Sequence, residues 1–153
     1  SSVGFVAANG YASRSGYSGS FSGNLFNIYW TGTAAQLWID TTNVGTIYLV
    51  SDYRVKKNVQ TQTLTALDRI AKIRPITYQI TENEHFKIFK TDDTVREGFI
   101  AHELAEIIPS AVDGEKDDPN KVQNLKLDAL CSVLVKAIQE LKAEFDEYKA
   151  THP

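Results

Sequence analysis

Charge is scarce in the first third of this sequence. Residues 1–50 contain two charged residues, Arg14 and Asp40, and no proline, but they hold seven of the nine glycines and nine of the sixteen aromatic residues. Residues 51–153 carry all four prolines and nearly all of the charge. We therefore expect a domain boundary at residue 50, with a different kind of structure on each side.

Cysteine and long apolar runs are also scarce. The single cysteine, Cys131, excludes an internal disulfide framework, and no Cys/His spacing predicts a metal site. No run approaches 18 apolar residues, and the formal net charge of −3 gives no general attraction to nucleic acid or anionic membrane. We expect no metal, no cofactor, and neither a nucleic acid nor a membrane as partner. Because the chain begins at Ser1 without methionine, we also expect a fragment of a longer protein.

Residues 1–50 have the pattern of short strands separated by turns. Alternation over 36–41 and an apolar run over 44–50, after a turn at Asn43, predict two strands. Fifty residues with so many aromatic side chains cannot easily bury them alone, so we expect neighbouring copies to cover them. The alternative is a flexible Gly/Ser linker, but linkers lack aromatic residues.

Residues 51–153 predict a small mixed α/β domain. Periodicity and turn residues place its first elements in this order: a helix from Thr63 or Thr65 to Pro75, strands over 76–80 and 85–89, a charged loop over 91–97, and the short helix HELAEII before Pro109. The fold class is therefore α+β, in which a β-rich stalk segment precedes this domain.

A long helix over about 121–150 completes the chain. Its apolar residues follow a 4-3-4-3-4-3 spacing that we call the a/d stripe: Leu127, Cys131, Leu134, Ile138, Leu141, Phe145 and Tyr148. This spacing spans three heptads and favours a self-associating helix, with Cys131 buried as a small apolar residue. The alternative is an amphipathic helix that packs on its own domain.

The residues at this boundary include a candidate nucleophile, Ser51, and a candidate base, Lys56. Ser51 is a poor nucleophile until a base takes its proton, and a lysine that is stripped of water can be that base. A tight turn through 52–55 would return Lys56 to Ser51, and the Val50 carbonyl is held next to the hydroxyl by the chain itself. Spacing alone leaves the alternative open that Ser51 and Asp52 only form a turn or cap.

The sequence SDYRVKKNV, residues 51–59, resembles the Ser-Asp-x-Arg-(Leu/Val)-Lys-x-Asn signature of self-cleaving C-terminal intramolecular chaperone domains. These domains form the C-terminal ends of phage tailspikes, tail fibres and neck appendages. LDRIAKIRPITY, residues 67–78, and GFIAHEL with Pro109 are similar to later family elements, although His102 stands where glutamine is common. The resemblance covers 51–153.

The resemblance implies that Ser51 is the nucleophile, Lys56 the general base and Val50–Ser51 the cut bond. Asp52, Arg54 and Asn58 match supporting motif positions. It also implies a homotrimer, with a trimeric coiled-coil-like bundle of C-terminal helices, that assembles in the host cytoplasm. The partners are two further copies and the β-stalk of the same fibre; the stalk joins the virion tail and the chaperone is released or loosely retained.

Two other functions remain as alternatives at this point. One is an uncleaved structural or receptor-binding trimeric fibre tip, and the other is a peptidase that acts on other proteins. His102 with Glu103, His85 and the carboxylates of 113–120 are weaker candidates for acid–base or calcium chemistry. We interpret them as a helix start, a strand surface and a solvated loop.

Overall fold

A computed structural model describes residues 6–7, 10–13, 24–47 and 51–152, with side chains in the last two ranges. The chain forms two compact units. The first comprises Ser1–Leu49, Thr77–Glu97 and Asp113–Asn124, and the second comprises Val50–Ile76, Gly98–Val112 and Leu125–Pro153. Two segments beyond residue 50 thus belong to the first unit, and the predicted division into domains 1–50 and 51–153 stays a prediction.

The first unit contains a five-stranded antiparallel sheet in sequential order. Its strands are β1 (Val6–Ala7), β2 (Gly10–Ser13), β3 (Phe26–Trp30), β4 (Ala35–Ile39) and β5 (Thr42–Ile47). The predicted strands near 36–41 and 44–50 correspond to β4 and β5, and residues 48–50 lie outside the described part of the chain.

The turn between β4 and β5 lies at Asp40, so the predicted turn at Asn43 is wrong. Asp40 adopts a positive φ of 51°, which aspartate tolerates better than most residues. Its carboxylate accepts hydrogen bonds from the backbone N–H of Leu25 at 2.8 Å and from the Asn24 amide at 2.5 Å. The Leu25 N–H, followed by Asn24, lowers the pKa of Asp40.

One face of this sheet is apolar and exposed. Ile28 lies opposite Leu37, and Trp30 lies opposite Ala35, which in turn pairs with Ile47. Directly paired residues share a face, and Ile28, Trp30, Leu37 and Ile47 are 55%, 59%, 37% and 38% exposed. As the composition predicted, the described strands leave large apolar side chains in contact with water.

A separate two-stranded sheet pairs β6 (Ile76–Ile80) with β7 (Asp92–Gly98). The prediction for 76–80 is confirmed, but the predicted strand over 85–89 is a run of turns and the predicted loop over 91–97 is largely β7. Asp92 fixes the start of β7 because it accepts from the Thr94 N–H at 2.9 Å and pairs with Arg96. The charged residues of β7 are compatible with a two-stranded sheet that exposes one face to solvent.

The core of the second unit joins three helices and the turn at Pro109–Ala111. Helix α1 (Leu67–Ile70), α2 (Ala101–Ile107) and α3 (Leu127–Thr151) surround it, and Leu104, Ile108 and Val133 are its largest fully buried apolar residues. The short helix predicted before Pro109 is confirmed. The helix predicted from Thr63 or Thr65 is only a single turn, and Leu64 is 63% exposed.

Helix α3 begins at Leu127 rather than near 121. The preceding residues form β9 (Asn124–Leu125), which pairs with β8 (Val112–Asp113), and the Lys126 N–H donates to the Ala111 carbonyl at 2.8 Å. Backbone groups that are engaged in this way cannot join the helix. The start of α3 is therefore set by pairing with residues far away in sequence.

The face of α3 that packs on the unit is not the a/d stripe. Leu130, Val133 and Ala137 are buried, whereas every residue of the a/d stripe is exposed, including Cys131. Every residue from 141 to 152 is exposed as well. Helix α3 thus packs on its own unit, as the alternative expected, but through Leu130, Val133 and Ala137 and not through the a/d stripe.

Candidate active site

A tight turn follows Ser51. Residues Tyr53–Val55 form one turn of 3-10 helix, in which the Val55 N–H donates to the Asp52 carbonyl at 3.2 Å and the Lys56 N–H to the Tyr53 carbonyl at 3.1 Å. The Asp52 carboxylate caps this turn by accepting from the Arg54 N–H at 2.8 Å. The turn reverses the chain so that residue 56 returns towards residue 51.

A bidentate ion pair stiffens the same turn. The Arg54 Nε and Nη2 atoms donate to the two Asp52 carboxylate oxygens at 2.9 and 2.7 Å. These bonds from the Arg54 side chain, with its backbone N–H, lower the pKa of Asp52. The two motif residues thus hold each other, and their geometric role is to fix the turn.

The Lys56 amine meets the Ser51 hydroxyl. Nζ donates to Oγ at 2.8 Å. A neutral amine could accept the hydroxyl proton across the same distance, which is within the range for general-base catalysis. Val50, the predicted source of the cut carbonyl, lies outside the described residues.

The site is open in the single chain. Every residue from 51 to 60 is exposed, and Tyr53, Val55 and Val59 are 81%, 68% and 77% exposed. The expected burial of the Lys56 amine is therefore absent here. Burial would have to come from groups beyond those that the structure describes in one chain.

Asn58 occupies a special backbone position. Its φ is +55°, in the left-handed region where asparagine is enriched among non-glycine residues. The chain leaves the turn through this residue. A geometric requirement explains an asparagine here without a contact to Ser51 or Lys56.

The weaker candidates have structural explanations. Glu103 accepts hydrogen bonds from Arg74 Nε at 3.0 Å and Nη2 at 2.5 Å, and this side-chain bonding lowers the pKa of Glu103. A carboxylate so held is a poor proton donor to His102. His85 lies in a turn rather than on a strand, 3.8 Å from the exposed Glu84 carboxylate.

Sequence reasoning missed one polar cluster. Thr46 on β5 donates to Asp113 at 3.0 Å, and Lys121 pairs with the same carboxylate at 2.9 Å. Thr46 and Asp113 lie 67 residues apart in sequence, so no local spacing could signal their contact. Among the residues with described side chains, no group of His, Cys, Asp and Glu has the arrangement of a metal site.

The residues around this turn match a known family. Residues 51–113 fit the model of a family described as chaperone of endosialidase. The match begins at Ser51 and contains the turn, the Asp52–Arg54 pair and Lys56. This part of the chain is therefore similar to that family, as its motifs indicated.

Two curated relatives are more specific. The chain is 29% identical over 109 residues to a long tail fibre protein Gp37 of Enterobacteria phage Ox2. The aligned region covers 70% of this chain and 41% of the relative. It is 30% identical over 105 residues to Gp37 of Enterobacteria phage M1, with 67% and 40% covered. The chain thus spans about two fifths of the length of these relatives.

No helix within the described ranges is long and apolar enough to cross a membrane.

Proposed function

We propose that this chain is the C-terminal chaperone of a phage tail fibre, which trimerises its fibre and then releases itself by cutting between Val50 and Ser51. The observation that carries the proposal is the 2.8 Å contact between Lys56 Nζ and Ser51 Oγ. It lies at the first residues of the family match. The tail fibre names of the relatives support the setting.

The proposed reaction needs only these side chains and the backbone. Neutral Lys56 takes the Ser51 proton while Oγ attacks the carbonyl carbon of Val50. The resulting tetrahedral oxyanion collapses, the bond to the Ser51 nitrogen breaks, and Lys56 returns the proton to that nitrogen. Water then hydrolyses the ester, which leaves a carboxylate on Val50 and a free amine and hydroxyl on Ser51.

Assembly would gate this reaction. In the single chain Lys56 is exposed, whereas a lysine becomes an effective base when burial disfavours the charged form of its amine. Neighbouring subunits that cover the exposed Tyr53 and Val55 would remove water from the amine. Cleavage would then follow trimerisation rather than precede it.

The a/d stripe supports a helical trimer. Ile138, Leu141, Phe145 and Tyr148 are 66%, 57%, 56% and 59% exposed, and each apolar side chain gains roughly 1.5–3 kcal/mol on full burial. The adjacent face of α3, with Leu130, Val133 and Ala137, already packs on its own unit, so the stripe is available to partners. Aromatic residues near the end of the stripe suit a bundle wider than a two-stranded coil.

A trimerising domain at one end of the chain, here called the clamp, would help a β-fibre to fold. Interchain β-pairing is slow to form, and open strand edges associate wrongly. Joining three chains at one end raises their local concentration and fixes their register. Removal of the clamp leaves a fibre that is protected by slow unfolding, since it cannot easily refold once opened.

A denaturing gel with mass spectrometry tests the proposal. The wild-type chain should yield a fragment of about 11 kDa that starts at Ser51, from the 17.0 kDa mass of 153 residues. Ser51→Ala should remain whole, and the matched control Ser110→Ala should be cut. A wild-type chain that stays whole in its trimeric state would favour the uncleaved fibre tip. Turnover of an added peptide spanning residues 45–56 would favour a peptidase that acts on other proteins.

A further inference from the structure

The first compact unit contains chain from both sides of the proposed cut, because 77–97 and 113–124 join the described residues of 1–49. Hydrolysis of one peptide bond therefore does not by itself separate the two products. What holds them afterwards depends on the contacts within this unit.

Strand β5 is the edge of its sheet, and residues 120–122 cover that edge. The Asn43 N–H donates to the Asn120 carbonyl at 3.2 Å, and the Val122 N–H donates to the Asn43 carbonyl at 3.4 Å. Together they form a parallel bridge between Asn43 and Lys121. An open edge would otherwise present unpaired backbone groups to other chains.

Side chains reinforce this backbone pairing. Asn43 is only 2% exposed, and its side chain accepts from the Gly45 N–H at 3.0 Å. Asp113 binds Thr46 and Lys121, and the exposed fractions of the Lys121 and Asp113 side chains are 23% and 17%. A pair this shielded from water is screened less by salt than a surface pair.

The turn at Gly114 brings Asp113 and Lys121 together. Gly114 has a φ of +90°, and a Cβ there would lie 3.3 Å from the Val122 carbonyl oxygen. A side chain would strain this turn twice, through the backbone angle and through the contact. The segment is thus shaped to present Asp113 and Lys121 to β5.

We propose that residues 113–122 are a docking surface for strand β5 of the fibre, and that this surface retains the fibre segment after the backbone is cut. The partner is the segment 42–47 on the other side of the cut. Release of the chaperone then requires the Asp113–Lys121 pair and the edge hydrogen bonds to break. This inference rests on the proposed cleavage.

Two readouts on one sample separate the inference from the proposed cleavage. A denaturing gel shows whether the chain is cut, and native size-exclusion chromatography shows whether the products elute together. We expect wild-type products to co-elute and those of Lys121→Glu to separate, although that variant is still cut. Lys116→Glu, an exposed lysine of the same segment, should co-elute like wild type.

Separation of the wild-type products, or co-elution in Lys121→Glu as strong as in Lys116→Glu, would overturn the inference. The double variant Asp113→Lys with Lys121→Glu restores opposite charges and should regain co-elution at least in part. Products of the double variant that separate as fully as those of Lys121→Glu would contradict the role of the ion pair.

A wild-type chain that is not cut refutes the proposed function but leaves the docking surface untouched. The contact between residues 113–122 and β5 is then measured in the intact chain. Hydrogen exchange at the Asn43 amide should be about tenfold faster in Lys121→Glu than in wild type, the size expected for losing a hydrogen bond to a charged group. Equal exchange in the two chains would overturn the docking surface.

Discussion

Glu140, in the middle of α3, accepts hydrogen bonds from the backbone N–H groups of Leu67 at 3.0 Å and Ala66 at 2.8 Å. The long helix therefore caps the first turn of the short one across 73 residues of sequence. Ala66 is fully buried beside this bond. A free N–H at such a place would cost desolvation without a partner.

Glu140→Ala should lower the melting temperature of the chain because it leaves the N–H groups of α1 without an acceptor. Glu144→Ala, four residues later on the exposed part of α3, is the matched control and should change it little. Thermal unfolding followed by circular dichroism measures both. Equal melting temperatures for the two variants would contradict the capping role.

Acid should weaken the same contact. The N–H of Leu67 is the main cause that lowers the pKa of Glu140 below its ordinary 4.5. The stabilisation is therefore complete above about pH 4.5 and is lost as the pH falls through the lowered value. Across this range the melting temperature of wild type should fall more steeply than that of Glu140→Gln, and parallel curves would refute the assignment.

Lys56→Ala should slow self-cleavage by roughly 10²–10⁴-fold, the usual contribution of a general base. Lys57→Ala removes the neighbouring exposed lysine, whose amine makes no hydrogen bond to Ser51 among the described contacts, and should be cut at the wild-type rate. Band intensities over time on a denaturing gel give both rates. Similar rates for the two variants would remove Lys56 from the mechanism.

Mixing subunits tests whether one chain supplies the whole site. The contact between Ser51 and Lys56 lies within one chain, so trimers assembled from Ser51→Ala and Lys56→Ala chains should give no cut product. The two variants are unfolded together and refolded, and the products are identified by mass. Cut product in mixed trimers alone would show that the residues act between subunits.

Ile138→Asp should abolish trimerisation because it places a charge in the a/d stripe. Gln139→Asp introduces the same charge at the adjacent exposed residue and should leave the trimer intact. Light scattering should give three times the 17.0 kDa chain mass for wild type and the control. A trimer that persists in Ile138→Asp would place the interface elsewhere.

Local patterns in the sequence determined much of this protein. The spacing of five residues between Ser51 and Lys56 predicted a tight turn that returns the amine to the hydroxyl, with a simple turn or cap at Ser51 and Asp52 as the alternative, and the structure contains both the Asp52 cap and the contact between Lys56 and Ser51. Strong helical periodicity likewise identified α2 and most of α3. Such features depend on residues within a few positions of one another, so the sequence displays them directly.

Only the tertiary structure decided features that depend on distant residues. Glu140, on α3, caps the start of α1. Pairing with β6 makes an apparent charged loop into strand β7. Leu130, Val133 and Ala137, rather than the a/d stripe, face the core. The pairing of β5 with Lys121 and Asp113 belongs to the same group. Each outcome is set by which surfaces meet when the chain folds, and the free energy of those long-range contacts is not encoded in any single stretch of sequence.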